Sequence, residues 1–260
     1  MMKMLQNHPF HMVTYSPWPI LMSFSILFFL NSLTLIMSNK STNMYLPILS
    51  MVLCLIQWAR DIIRESTLQG MHTKKIIKGI QLGMIMFIIS EILLFSSLFW
   101  MLLHSSLSPS HMIGMSWPPS GVNVFNPLGM PMLNTALLLS SGFSITWSHF
   151  SLLKNNYQNS IMSLCMTIIL GIIFLLIQSF EYFTAPFSIS DSIFGSAFFL
   201  VTGFHGSHVL LGCILLIMSL YRMFRNHLTS SHHLNFELAA WYWHFVDIIW
   251  IFVFMLLYFN

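Results

Sequence analysis

The chain has 260 residues, of which 56% are hydrophobic and only 7% are charged. A soluble domain typically carries about 25% charged residues, so the composition excludes an ordinary soluble protein and indicates an integral membrane protein. The formal net charge of +3 does not indicate nucleic-acid binding, because the basic residues are scattered at the ends of apolar segments. With no internal repeat and no low-complexity linker, the sequence predicts a single transmembrane domain over residues 1–260.

Seven apolar segments follow one another along the chain. Each is about 20 residues long or longer, which is the length a helix needs to cross a bilayer; membrane-spanning strands would be about half as long and would alternate. The sequence therefore predicts seven transmembrane helices. They are expected at about residues 16–37, 43–63, 76–104, 128–151, 157–183, 191–224 and 234–258.

The Lys and Arg residues are distributed asymmetrically between the two predicted membrane faces. Only Lys40 lies on one face, and the other nine lie at the opposite ends of the segments. Because loops on the inner side of a membrane are enriched in Lys and Arg, we expect the N-terminus inside and, after seven crossings, the C-terminus outside. The nine residues are Lys3, Arg60, Arg64, Lys74, Lys75, Lys78, Lys154, Arg222 and Arg225.

The third segment carries one carboxylate, Glu91, 13 residues after Lys78 and 13 residues before His104. At about 1.5 Å rise per residue, it lies roughly 20 Å from either end, near the bilayer midplane. An ionisable group there costs at least about 2.5 kcal/mol on insertion scales and normally faces a partner or a cavity. Two interpretations stay open: a protonated, hydrogen-bonded structural carboxyl, or a group that exchanges a proton.

Two further segments carry ionisable residues at similar depth. His205 and His208 are three residues apart in the sixth segment, and His244 and Asp247 are three apart in the seventh, so the members of each pair share a helix face. With Glu91 they predict a polar layer inside a helical bundle, since pairing lowers the cost of each group. They are candidate proton-linked or tuning groups, or simply structural ones; which residue pairs with which is not determined.

A redox metal in this chain is not favoured. No Glu-x-x-His motif occurs in the membrane segments, and nothing fixes two histidines facing each other across a haem. The three cysteines have no metal-ligand spacing. We therefore expect no catalytic or metal-ligating residue and no cofactor in the chain itself.

A second group of polar residues lies at the inner segment ends, where the membrane meets water. They are either ordinary charges that flank the membrane or groups that bind lipid phosphate. A guanidinium or an imidazole can donate hydrogen bonds to a phosphate at the interface. These residues are Arg64, Glu65 and His72 after the second segment, and Arg222 and His227 after the sixth.

Eight stretches, in order over nearly the whole chain, resemble those of the mitochondrial cytochrome c oxidase subunit 3 family. They are rich in Trp, His and Pro, which makes them specific. They read HMVTYSPWP (11–19), RDIIREST (60–67), SEILLF (90–95), WPPSG (117–121), GFSITWSH (142–149), FSISD (187–191), TGFHGSH (202–208) and AWYWHFVDIIW (240–250).

The resemblance implies an all-α membrane protein with helices one and two grouped against helices three to seven, and a lipid-binding cleft between them. It implies a core subunit of the respiratory oxidase that oxidises cytochrome c, reduces oxygen and pumps protons. The implied place is the mitochondrial inner membrane, with the N-terminus in the matrix and the C-terminus in the intermembrane space.

The implied partners are oxidase subunits 1 and 2, which hold the haem and copper, accessory subunits, and bound phospholipid. Cytochrome c would be met only through the complex, and no nucleic acid is expected. The implied contribution of this chain is to support stability, lipid binding and proton uptake.

The resemblance also assigns individual residues. Glu91 matches the family's carbodiimide-reactive carboxylate, and the five residues at the inner segment ends match positions near the cleft lipids. Two positions depart from the family pattern. Ala59 stands where a second Trp is common, which puts interfacial anchoring there in doubt, and Ser207 stands where Leu is common, which changes local polarity.

Two other classes of function remain as alternatives. A stand-alone proton-coupled transporter would use Glu91 and the histidines as a relay, but the chain shows no inverted repeat and no paired broken helices. A haem-carrying cytochrome subunit would show a visible spectrum when isolated.

Overall fold

The computed structural model describes residues 9–38, 43–111 and 114–259, so Lys3 and Lys40 of the charge argument lie outside the described residues. Seven helices span the described part, and each end lies within four residues of the expected segment. Their bounds are α1 Trp18–Met37, α2 Tyr45–Thr67, α3 Lys74–Leu107, α4 Met130–Leu153, α5 Tyr157–Thr184, α6 Ile193–Phe224 and α7 Leu234–Tyr258.

Each helix contains an 18-residue stretch with a mean hydropathy between 1.2 and 2.7, so all seven are long and apolar enough to cross a membrane. Several helix ends are set by local polar residues. The Asn156 side chain accepts from the Asn159 N–H at the start of α5, and Ser192 accepts from the Gly195 N–H at the start of α6. These caps satisfy backbone donors that a helix leaves free in its first turn.

The chain divides into two compact units, residues 1–80 and 81–260. The boundary falls within the first two turns of α3, so α1 and α2 belong to one unit and α4 to α7 to the other. This division confirms the expected grouping of the helices. In the first unit α1 packs against α2, and the Trp18 indole N–H donates to Asp61 Oδ2 at 2.6 Å.

In the second unit α7 is the central helix. It packs against α4 and α6, and α5 packs against α4 and α6. Its hydrophobic span is 61% buried, against 39% for the spans of α4, α5 and α6, because its large aromatic side chains fill the middle of the bundle. Trp243 and Trp250 are almost completely buried, and the Trp243 indole N–H donates to Ser141 Oγ at 2.9 Å.

Two connections show local order that matches the sequence motifs. The Trp117 ring packs edge-on against Phe194 at 5.8 Å between ring centroids. Before α6, Asp191 accepts from both the hydroxyl and the backbone N–H of Ser188, each at 2.7 Å. These hydrogen bonds, the hydroxyl's first, favour the charged carboxylate and lower the pKa of Asp191 below its usual value.

Glycines let the helices approach Trp243. A Cβ on Gly171 of α5 would lie 2.6 Å from Trp243 Cη2, and a Cβ on Gly212 of α6 would lie 2.8 Å from Trp243 Cε3. Real Cβ atoms do not approach so closely, and the buried ring has no room to move away.

We predict that Gly171→Ala destabilises the second unit by about 1–3 kcal/mol through overpacking against Trp243. Gly203→Ala on α6 is the matched control, because a Cβ there meets nothing within 4 Å. Both substitutions gain the same helix propensity, so the difference between their changes in stability reports the cost of overpacking. Thermal denaturation of the purified protein measures this difference; equal midpoints for the two variants would contradict overpacking at Gly171.

Candidate functional site

Glu91 and His208 form a hydrogen-bonded pair inside the second unit. His208 Nε2 of α6 lies 2.8 Å from Glu91 Oε2 of α3, and the two side chains are 11% and 20% exposed. The other imidazole nitrogen, Nδ1, lies 2.6 Å from the carbonyl oxygen of Phe204 one turn earlier in α6. Both nitrogens of the ring are therefore engaged.

This geometry fixes the number of protons that the pair shares. A carbonyl oxygen only accepts, so Nδ1 of His208 carries a hydrogen. The hydrogen bond between Nε2 and Glu91 needs one more hydrogen. Either the carboxyl O–H of Glu91 donates to Nε2, or the protonated Nε2–H donates to the carboxylate. Both arrangements give the pair no net charge, which lowers its cost in an apolar environment.

Aromatic rings of the second unit lie around the Glu91–His208 pair. Phe95 meets the His208 ring edge-on at 5.1 Å, and the rings of Tyr242 and Phe245 lie at 6.3 and 6.4 Å. Phe95 is 1% exposed and Tyr242 is fully buried. These rings keep the dielectric constant low beside the shared proton and strengthen the hydrogen bond.

His205 does not join this pair, although it shares a helix with His208. It is 1% exposed, and its Nε2–H donates to the carbonyl oxygen of Val246 on α7 at 3.2 Å. Phe174 and Trp250 enclose its ring at 5.6 and 4.9 Å. His205 therefore ties α6 to α7 as a neutral imidazole within the aromatic core.

His244 and Asp247 converge on a third place, beside Gly142 of α4. A Cβ on Gly142 would lie 2.9 Å from Asp247 Oδ2 and 3.9 Å from His244 Nδ1. Asp247 is 6% exposed, and its Oδ1 has no hydrogen-bond partner in the described structure. The expected polar layer is thus three separate sites: the Glu91–His208 pair, His205 in the core, and His244 with Asp247 at Gly142.

The structure also shows polar groups that the sequence reasoning did not bring together. His149 Nε2 of α4 lies 3.2 Å from His233 Nε2 at the start of α7. At the other end of the bundle, the Tyr258 hydroxyl of α7 donates to Glu181 Oε1 of α5 at 2.8 Å, and Glu181 is 1% exposed. Glu181 follows Gln178 by three residues on one face of α5, a spacing that could have indicated a buried polar face.

In the first unit, Arg64 and Glu65 line a cavity of about 630 Å³ together with Trp18 and Trp58. His11 Nε2 lies 3.4 Å from Glu65 Oε2 in the same wall. Arg64 is exposed and His72 is partly buried. An exposed guanidinium beside two indole rings is suited to a lipid phosphate at a membrane interface.

In the second unit, Arg222 lies in the last turn of α6 and is 6% exposed. Its Nε has no hydrogen-bond partner in the described structure, and its carbonyl accepts from the backbone N–H of His227 at 3.0 Å. His227 itself is exposed just after the helix.

Within residues 9–38, 43–111 and 114–259, no group of three or more His, Cys, Asp or Glu side chains is arranged to hold a metal.

Comparisons with known proteins agree with the sequence motifs over the whole described chain. The family model described as cytochrome c oxidase subunit III matches residues 8–260. Proteins named cytochrome c oxidase subunit 3 from Gazella subgutturosa, Damaliscus lunatus and Litocranius walleri are each 49% identical over 262 aligned residues, covering 97% of each chain. A match of this extent shows the family: the chain belongs to the cytochrome c oxidase subunit III family.

Proposed function

We propose that this chain, a subunit of the oxidase complex, carries no redox centre and supports the stability, lipid binding and proton uptake of the enzyme. The observation that carries the proposal is the Glu91–His208 pair, a shared proton on α3 and α6. A pair of groups that exchange one proton without changing their net charge can hold or pass a proton inside a membrane at low cost.

In this proposal the polar residues have different roles. Glu91 and His208 hold the exchangeable proton, and the neighbouring aromatic rings exclude competing water. His205 positions α6 against α7 through its bond to the Val246 carbonyl. His244 and Asp247 form a second, more enclosed proton-linked place beside Gly142.

The catalytic groups belong to the partners. We propose that subunits 1 and 2 hold the haem and copper, that accessory subunits complete the complex, and that cytochrome c meets this chain only through it. The proposed place is the mitochondrial inner membrane, with residues 1–260 acting as a single transmembrane domain. The distribution of Lys and Arg supports an N-terminus in the matrix and a C-terminus in the intermembrane space.

The lipid role rests on five residues at the helix ends. Arg64 and Glu65 line the cavity of the first unit, His72 lies just before α3, and Arg222 and His227 lie at the end of α6. An Arg side chain near the membrane surface can bind a lipid phosphate through paired hydrogen bonds. The indole rings of Trp18 and Trp58, which line the cavity with Arg64, are suited to contact the lipid at the interface. We propose that each of these two groups of residues binds phospholipid.

We predict that Glu91→Gln leaves most oxygen consumption of the assembled complex intact, because the reacting centres lie in other subunits, and modestly alters proton uptake or working life. A hydrophobic carbodiimide should label Glu91 in the wild-type complex. The reagent partitions into apolar sites and reacts there with a protonated carboxyl group. Ser90→Ala is the control, because Ser90 bonds only to its own helix, at Phe87 O. Complete loss of turnover in fully assembled Glu91→Gln complex would overturn the accessory role.

We predict that Arg64→Gln releases tightly bound phospholipid and shortens the working life of the complex more than it lowers the initial rate. The physical reason is the loss of a charge-assisted hydrogen bond to phosphate, worth about 1.5–3 kcal/mol. Lipid extracted from the purified complex is quantified by mass spectrometry, with Lys78→Gln on α3, an exposed lysine that does not line this cavity, as a charge-matched control. Unchanged lipid in Arg64→Gln would contradict the assignment.

A further inference from the structure

A groove of about 340 Å³ lies between the last turns of α4 and the first turns of α7, within the second unit. Its walls combine apolar, aromatic and ionisable side chains. The residues that matter here are Ile145, Thr146, His149 and Phe150 of α4, and Glu237 and Trp241 of α7.

One wall of the groove carries a carboxylate, that of Glu237. Glu237 is partly exposed in the first turn of α7, and its Oε2 accepts a 3.3 Å hydrogen bond from the Gln81 amide. Within the described part of the chain Glu237 forms no ion pair. A carboxylate at a membrane interface is stabilised by a cation that reaches it from outside the protein.

The α4 wall of the groove is held by a pair of histidines, and a lysine lies over one of its rings. His233 Nδ1–H donates to the Thr229 carbonyl, so His233 Nε2 accepts and the facing His149 Nε2–H donates across 3.2 Å. This bond fixes the His149 ring in the groove wall. At the end of α4, Lys154 Nζ lies 4.3 Å from the centroid of the groove-lining Phe150 ring.

Glu237 in the groove offers an acceptor for a cation, and Lys154, over the groove-lining Phe150 ring, offers a positive charge for an anion. Both residues lie at helix ends, where lipid head groups are expected. The rings of Trp241 and Phe150 line the groove, and aromatic rings near the membrane surface favour the interface and attract cations over their faces. Ile145, deeper in the groove, gives it an apolar floor for an acyl chain.

We propose that this groove is a head-group site for a zwitterionic phospholipid with a primary ammonium, of the phosphatidylethanolamine type. The ammonium donates to Glu237, the phosphate meets Lys154, and one acyl chain follows the apolar floor. This site is separate from the cleft-lipid residues Arg64 and Arg222, so either assignment can fail without the other.

The choice of lipid follows from charge and hydrogen-bond donors. An anionic head group without an amine would place its charge beside the Glu237 carboxylate, which is unfavourable. A quaternary ammonium keeps the charge but has no N–H to donate to the carboxylate. The groove therefore predicts decreasing occupancy as the ammonium is methylated.

The experiment uses the intact purified oxidase in bilayer nanodiscs that contain a photoactivatable phosphatidylethanolamine, its mono- and dimethyl forms, phosphatidylcholine or phosphatidylglycerol. Crosslinked peptides are located by mass spectrometry. We expect phosphatidylethanolamine to label residues 145–154 and 237–244, with labelling falling along the methylation series and lowest for phosphatidylglycerol. Equal labelling by all five lipids, or none at these residues because a protein segment covers them, would overturn the proposal.

A variant pair provides the second arm. Glu237→Gln keeps the shape of the side chain and its bond to Gln81, and we expect it to lower phosphatidylethanolamine labelling roughly tenfold, the loss of one charge-assisted hydrogen bond. Asp191→Asn, which neutralises an exposed carboxylate at the other end of the bundle, should leave labelling unchanged. Unchanged labelling in Glu237→Gln would overturn the proposal; if that variant does not assemble, the methylation series on the wild-type complex decides.

Discussion

The hydrogen bond between Glu91 and His208 is the interaction on which the position of α3 in the second unit depends. The other contacts of α3 are apolar or weakly polar: Phe95 and Leu102 are buried in the core of the unit, and the Gln81 amide lies 3.3 Å from Glu237. A carboxyl and an imidazole that pair at 2.8 Å in an apolar environment cannot separate without leaving two unsatisfied polar groups. The pair therefore holds α3 on α6 and holds a shared proton at the same time.

The rest of the second unit is organised by the size of the side chains on α7. Trp243 needs the glycines of α5 and α6, and Asp247 needs Gly142 of α4. Each glycine is placed where a large or polar group of α7 projects, which lets α7 lie at the centre of the bundle. Both the close packing of the bundle and the position of its buried polar groups therefore depend on α7, which carries Trp243 and Asp247.

The seven helices could be predicted from the sequence because length and hydropathy decide whether a segment spans a bilayer. The central position of Glu91 along α3 could be predicted for the same reason. The partner of Glu91 could not, because contact between helices depends on how each helix is rotated and which helices are neighbours. His205 and His208 illustrate the limit: three residues apart, their directions differ by about 60°, which is enough to turn one towards α7 and the other towards α3.

The same limit explains the sites that sequence reasoning missed. His149 and His233 are 84 residues apart, and no local pattern indicates that the end of α4 meets the start of α7. Family resemblance supplied the grouping of α1 and α2 against the later helices, which composition alone does not contain. Membership of the family makes the chain an oxidase subunit, whereas the roles proposed for its polar residues rest on distances within one unit.

A double-mutant cycle at the central pair tests this account most directly. Glu91→Met, His208→Phe and the double variant are compared with the wild type by thermal denaturation of the assembled complex. Each single variant should cost about 1–3 kcal/mol because it leaves one buried polar partner unpaired. The double variant should cost clearly less than the sum of the two, since contacting residues couple by about 0.5–3 kcal/mol. Strictly additive losses would contradict the claim that this pair holds α3 in place.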